Sequence, residues 1–76
     1  MTDERFVYET IRDLRDDLRK SEEQKGMEID TLIVPCLLKR TYKRLERLQD
    51  KINEKSRDFT IELIGDKQVK VQRKKS

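Results

Sequence analysis

Residues 59–72 read FTIELIGDKQVKVQ, and this stretch decides the fold class. Phe59, Ile61 and Leu63 alternate with Thr60 and Glu62; Val69 and Val71 alternate with Lys70 and Gln72. A period of two belongs to a strand with one buried face, and Gly65-Asp66 between the runs is a turn signal, so a β-hairpin is predicted over about 59–73. Its register follows from the same alternation. A two-residue loop would send the valines to the face opposite Ile61 and Leu63. An odd loop keeps one apolar face, because side chains alternate along a strand. A three-residue loop, Gly65–Lys67, sets Leu63 against Val69, Ile61 against Val71 and Glu62 against Lys70; five residues would also serve.

Upstream of the hairpin the period becomes helical. Val7, Ile11, Leu14 and Leu18 recur at spacings of four, three and four, with Phe6 to one side, which predicts a helix over about residues 2–25. Thr2 or Asp3 can cap its start, Asp3, Glu4 and Glu9 suit the positive end of its dipole, and Gly26 suits its C-cap. Leu38, Leu45 and Ile52 recur every seven residues, with Thr41 and Leu48 between them and Leu37 and Tyr42 flanking, which predicts a second helix over about 35–57. Between the two lies an apolar segment, about 27–35, that ends in Pro35. Either it is extended and the helix begins at Pro35, or Asp30 or Thr31 caps a helix that Pro35 kinks.

The expected fold is therefore α+β, mainly α, in a single domain spanning residues 1–76. Two amphipathic helices form an antiparallel helical hairpin or a coiled-coil-like dimer, and a C-terminal β-hairpin and a frayed basic tail (73–76) follow. The expected oligomer seam is Val7, Ile11, Leu14 and Leu18 with Leu38, Leu45, Leu48 and Ile52.

Composition narrows the function classes. Charged residues make up 46% of the chain and hydrophobic ones only 33%, but the signs are interspersed and the apolar residues periodic, so the chain is read as folded. A core this small rarely supplies more than about 3–5 kcal/mol, and small domains usually add a staple. One cysteine, Cys36, excludes an internal disulfide, and the absence of histidine excludes Cys/His zinc sites. Oligomerisation, as a homodimer, or docking on a larger partner is the remaining source of stability. Cys36 in its apolar run reads as a small hydrophobe. No membrane span or signal-peptide stretch is present, which with one free cysteine predicts a cytoplasmic protein. The chain contains no alanine, which is compatible with an AT-rich phage or viral genome and hence with the host cytoplasm.

Catalytic chemistry finds little support. Histidine, the commonest general base, is missing, the serines lack a nearby base, and the only glycines, Gly26 and Gly65, make no phosphate loop. Asp13, Asp16 and Asp17 cluster on the first helix among Arg12, Arg15 and Arg19, as a solvated face does. No enzyme, cofactor or metal is expected.

Charge asymmetry is the strongest functional signal. Residues 1–34 hold six basic and ten acidic side chains, a net of −4; residues 35–76 hold thirteen and six, a net of +7. One account has the acidic first helix pairing with the basic second. The other has part of the basic stripe facing outward to neutralise phosphates: Lys39, Arg40, Lys43, Arg44, Arg47 and Lys51 on the helix, helped by Lys67, Lys70, Arg73, Lys74 and Lys75. The preferred expectation is a homodimeric nucleic-acid-binding regulator or accessory protein. The alternative is a protein-interaction adaptor or inhibitor without nucleic-acid contact, for which Tyr8 and Ile64, off the apolar stripes, are candidate contact residues.

Overall fold

A computed structural model describes residues 2–36 and 38–74. The predicted Leu37 flank and the tail residues Lys75 and Ser76 lie outside the described residues. Helix α1 spans Asp3–Lys25, strand β1 Thr31–Pro35, helix α2 Lys39–Lys55, strand β2 Phe59–Leu63 and strand β3 Gln68–Arg73.

Both ends of α1 carry the expected caps. Thr2 Oγ1 accepts the Arg5 N–H at 3.2 Å, and Gly26, with φ 67°, donates its N–H to the Glu22 carbonyl. A side chain at that left-handed position would be strained, which is why glycine serves there. The 27–35 segment takes the extended form, and α2 starts at Lys39 instead of Pro35. The delay has a physical cause. The Cys36 N–H still bonds the Lys67 carbonyl at 2.6 Å, so the backbone cannot coil until it has left the sheet.

The hairpin is not a separate appendage. β3 is the central strand of a three-stranded antiparallel sheet ordered β1-β3-β2, so the apolar segment before α2 joins the hairpin as a third strand. The predicted register is present: Ile61 faces Val71, Glu62 faces Lys70 and Leu63 faces Val69. Beyond it, Ile64 N–H donates to Gln68 and Gln68 N–H to Gly65, leaving Gly65–Lys67 as the loop, all three residues with positive φ. On the other side Leu32 faces Val71 and Val34 faces Val69.

One sheet face therefore carries Leu32, Val34, Phe59, Ile61, Leu63, Val69 and Val71, and the two helices close over it. Val7, Ile11 and Leu14 of α1 and Leu45, Leu48 and Ile52 of α2 share a single buried cluster with Phe59, Ile61, Val69 and Val71. This corrects the oligomer seam. Its helical leucines, isoleucines and valine are consumed inside one chain, Leu18 is also buried, and Leu38 is 67% exposed because it precedes α2 as its N-cap residue. A seven-residue count could not tell a coiled-coil stripe from a helix laid on a sheet. None of the described helices is long and apolar enough to cross a membrane.

The edge at β2 is closed by side chains of α2. Asn53 Oδ1 accepts the Ile61 N–H at 2.7 Å, while Asn53 Nδ2 and Gln49 Nε2 both donate to the Ile61 carbonyl at 3.2 Å. The carboxamide of Asn53 thus presents Ile61 with the donor and acceptor that a further strand would otherwise offer.

Candidate nucleic-acid interface

The basic residues of α2 fall into two groups with different fates. Counting 100° per residue from Leu45, Arg40, Arg44, Arg47 and Lys51 turn to one side of the helix, and Lys39 and Lys43 to the other. On the first side the start of α1 intervenes. Arg44 Nη2 and Arg47 Nη2 both donate to Asp3 Oδ1, at 3.0 and 3.2 Å, and the Arg44 guanidinium lies 4.4 Å from the centre of the Phe6 ring. The Arg44 hydrogen bond, aided by the charges of Arg47, Arg44 and Lys51 and opposed by some desolvation, holds the Asp3 carboxyl below its ordinary pKa. Arg44 and Arg47 thus pair with the acidic helix, as the first account of the charge asymmetry required, while Arg40 and Lys51 remain exposed.

Lys39 and Lys43, the second group, stand at the N-terminal end of α2, where Arg40 of the first group joins them: Lys39 and Arg40 are its first two residues and Lys43 follows one turn on, all exposed. The N-cap, Leu38, offers no side-chain oxygen, and the first turn contains no acidic residue. The β2–β3 loop is drawn against this end because Tyr42 Oη accepts the Gly65 N–H at 3.1 Å. Lys67 is thereby brought to the same place, and Lys39, Tyr42, Lys43, Glu46, Asp66 and Lys67 line one shallow groove. Tyr42 is half-buried and tethered, which makes it a positioning element for the loop.

The remaining expected contacts are spread over the fold. Lys70 stands on the open face of the sheet, in register with Glu62 and Ile33. Arg73 is a fastener: Nη2 meets Glu22 Oε1 at 2.6 Å, and Nε donates to the Ile29 carbonyl and lies 3.8 Å from Glu28 Oε1. Lys74 caps the end of α2, its Nζ donating to the carbonyls of Ser56 at 2.6 Å and Asn53 at 3.3 Å. The tail is thus ordered through Lys74, whose N–H also bonds the Asp58 carbonyl. Lys75 lies outside the described residues.

The acidic cluster on α1 behaves as a solvated face: Asp13 pairs with Arg12 and Asp16 with Arg19, each at 3.5 Å. Among the described residues no group of cysteine and carboxylate side chains is placed to hold a metal ion. Cys36 is half-buried.

Comparison with protein families, curated proteins and solved structures returns no match. The functional reading accordingly rests on the site alone. Sequence reasoning missed the roles of Asn53 and Gln49, polar residues beside an apolar stripe that gave no signal of a strand edge within reach. It found the cations but not their division.

Proposed function

We propose that this chain is a small, non-catalytic nucleic-acid-binding regulator or accessory protein that takes hold of backbone phosphates at the N-terminal end of α2. One observation carries the reading: three cations crowd the positive end of a helix whose N-cap makes no side-chain hydrogen bond and whose first turn has no acidic residue. The aligned peptide dipoles place about half a positive charge there, and the first N–H groups of a helix have no partner within the helix itself. Acidic side chains belong at such an end; Lys39, Arg40 and Lys43 make it less stable by their mutual repulsion and by opposing the dipole. An anion relieves both at once. A phosphate set there would receive main-chain N–H bonds together with charge-assisted bonds from the lysines and the arginine, with Lys67 reaching in from the loop.

Such contacts give affinity without reading sequence. Binding should therefore be comparable for unrelated sequences and should weaken steeply with salt, by about 0.9 in log–log slope for each phosphate neutralised on duplex DNA. The test is an anisotropy titration on DNA and RNA at two salt concentrations, with the parent and with Lys39→Gln, Arg40→Gln and Lys43→Gln combined. We expect the triple variant to lose affinity for every sequence alike and to show a shallower salt slope. Absence of binding at low salt, or binding indifferent to salt, rejects the proposal.

A further inference from the structure

The sheet has two edges and treats them differently. At β2 the main-chain groups of Ile61 are taken up by Asn53 and Gln49. At β1 no comparable closure is found among the described residues. The bonds Cys36 N–H to Lys67 and Arg73 N–H to Asp30 fix the alternation along β1, so Leu32 and Val34 bond to β3 while Thr31, Ile33 and Pro35 turn their main-chain groups away from it. The side chains of these three residues are exposed as well. Exposed large hydrophobics gather here: Ile33 is 50% exposed in the middle of the strand, Met27 is 65% exposed before it and Leu38 67% exposed after it. An open edge with an apolar centre is a template for another strand.

We infer that two copies of this chain join by antiparallel pairing of their β1 strands about a two-fold axis at Ile33, making one six-stranded sheet. The register is chosen by Pro35. With Ile33 opposite the partner's Ile33, the two residues exchange a pair of N–H···O=C bonds. Each Thr31 N–H then donates to the partner's Pro35 carbonyl. Pro35, which has no N–H, is used only as an acceptor at the end of the ladder, where a proline is tolerated. Centring the axis on Thr31 or on Pro35 would forfeit bonds. The same axis sets the two exposed Ile33 side chains beside one another and brings the Met27 end of each copy toward the Leu38 end of the other.

Charge selects the antiparallel direction. Glu28 and Asp30 precede β1, and Lys39 and Arg40 follow it, all exposed. Antiparallel pairing brings the acidic end of one copy to the basic end of its partner, twice over; parallel pairing would oppose like charges at both ends. The assembly does not rest on the nucleic-acid reading, and its mass is measured without nucleic acid.

The experiment is sedimentation equilibrium or light scattering of the full chain over a concentration series, with charge swaps on the axis. The parent should show twice the 9.2 kDa chain mass. Ile33→Lys and Ile33→Glu should each give a folded chain of single mass, since a charge on a two-fold axis meets itself, and mixing them in equal amounts should restore the doubled mass. If either swap fails to fold, Ile33→Cys in a Cys36→Ser background gives an independent reading. Residues opposed in a hydrogen-bonded antiparallel pair have Cα atoms about 5.5 Å apart, within disulfide reach. Mild oxidation should therefore yield a covalent dimer, while Lys70→Cys in the same background, on the central strand, should not. A parent of single mass at every soluble concentration, folded single swaps that keep the doubled mass, or equal cross-linking at positions 33 and 70 would overturn the inference and leave the edge to the strand of a different protein.

Discussion

Lys39→Glu should make the protein more stable and a poorer ligand for nucleic acid at the same time. Lys39 is the first residue of α2, above an N-cap without a side-chain hydrogen bond. Lysine and glutamate have nearly equal helix propensity, so the substitution changes charge and little else along the helix. Three electrostatic effects favour glutamate: an unfavourable cation leaves the positive end of the dipole, a favourable anion arrives, and the new carboxylate gains an i,i+4 partner in Lys43. The two dipole effects are worth about 0.3–1 kcal/mol each and the pair about 0.3–0.5 kcal/mol, before screening at this exposed site. Allowing for that screening, the net gain should be about 1 kcal/mol, or a rise in Tm of about 4–8 °C for a domain this size. The gain should shrink as salt is added, since all three effects are screened. Nucleic-acid affinity should fall, and the salt slope should lose about 0.9 for the missing phosphate contact. Thermal melts by circular dichroism at low and high salt, run beside anisotropy titrations, read both quantities, and Lys39→Gln should fall between parent and Lys39→Glu in each. The melts are run on the Ile33→Glu chain of single mass, where no partner's acidic end meets Lys39; a lowered Tm there would show that no electrostatic strain resides at this end of the helix. A raised Tm with unaltered affinity would place the phosphate contacts elsewhere.

Asn53→Ala removes both carboxamide bonds to Ile61, a residue only 2% exposed; set against the better helix propensity of alanine, the loss should be about 1–2 kcal/mol by denaturant melt, and a variant as stable as the parent would show that the edge needs no closure. Ser56→Ala should be neutral or slightly stabilising in the same assay, because the Ser56 hydroxyl is buried, 1% exposed as a residue, with no partner among the described residues; a loss above about 1 kcal/mol would reveal a bond it makes. Asp3→Asn should lower Tm at neutral pH. The Asp3 carboxyl has a depressed pKa, chiefly through Arg44, so its contribution is present above the ordinary aspartate pKa and vanishes as pH falls through the depressed one. Parent and variant should therefore converge in acid, and a Tm difference that persists there would mean the carboxylate charge is not the cause. Arg44→Gln with Arg47→Gln should reproduce the neutral-pH loss in thermal melts while leaving nucleic-acid affinity nearly unchanged; an affinity loss as large as that of the Lys39, Arg40 and Lys43 variant would move the interface to this side of α2.

The hairpin was legible because alternation over Phe59–Leu63 and Gln68–Arg73 admits only odd loops, and Gly65 sits where an odd loop must turn. Helix α1 was legible from its caps as much as from its seam. The arrangement of the elements was not. Leu32 and Val34 are two apolar residues in a short run next to a proline, a pattern that fits a strand or a helical turn equally well. Only β3, more than thirty residues downstream, supplies the partners that settle it. That one strand also converts the reading of the helices. Once a sheet exists for them to cover, the stripe of Leu45, Leu48 and Ile52 is satisfied within the chain, and the dimer proposed above is placed instead at the strand edge that remains open.

Division of the cations was hidden for a related reason. A helical wheel places Arg44 and Arg47 on the polar side of α2, where they look as free as Lys39 and Lys43. What separates them is the landing site of the α1 N-terminus, which puts Asp3 beside the arginines and leaves the lysines uncovered. Arg73 and Lys74 likewise read as a loose basic tail until β3 carries them to Glu22 and to the carbonyls at the end of α2. Each of these charged groups offsets a charge or dipole that the fold itself creates: Lys74 meets the negative end of α2, and Asp3 the positive end of α1. The first turn of α2 departs from this pattern. There the fold sets like charge against like, with no acidic side chain in the first turn of the helix; Glu46, a turn further on, and Asp66 of the loop stand at the far side of the groove. A sequence that satisfies its helix ends at three places and opposes the dipole at the fourth leaves that end in want of an anion, and this is the ground for the phosphate contact proposed there.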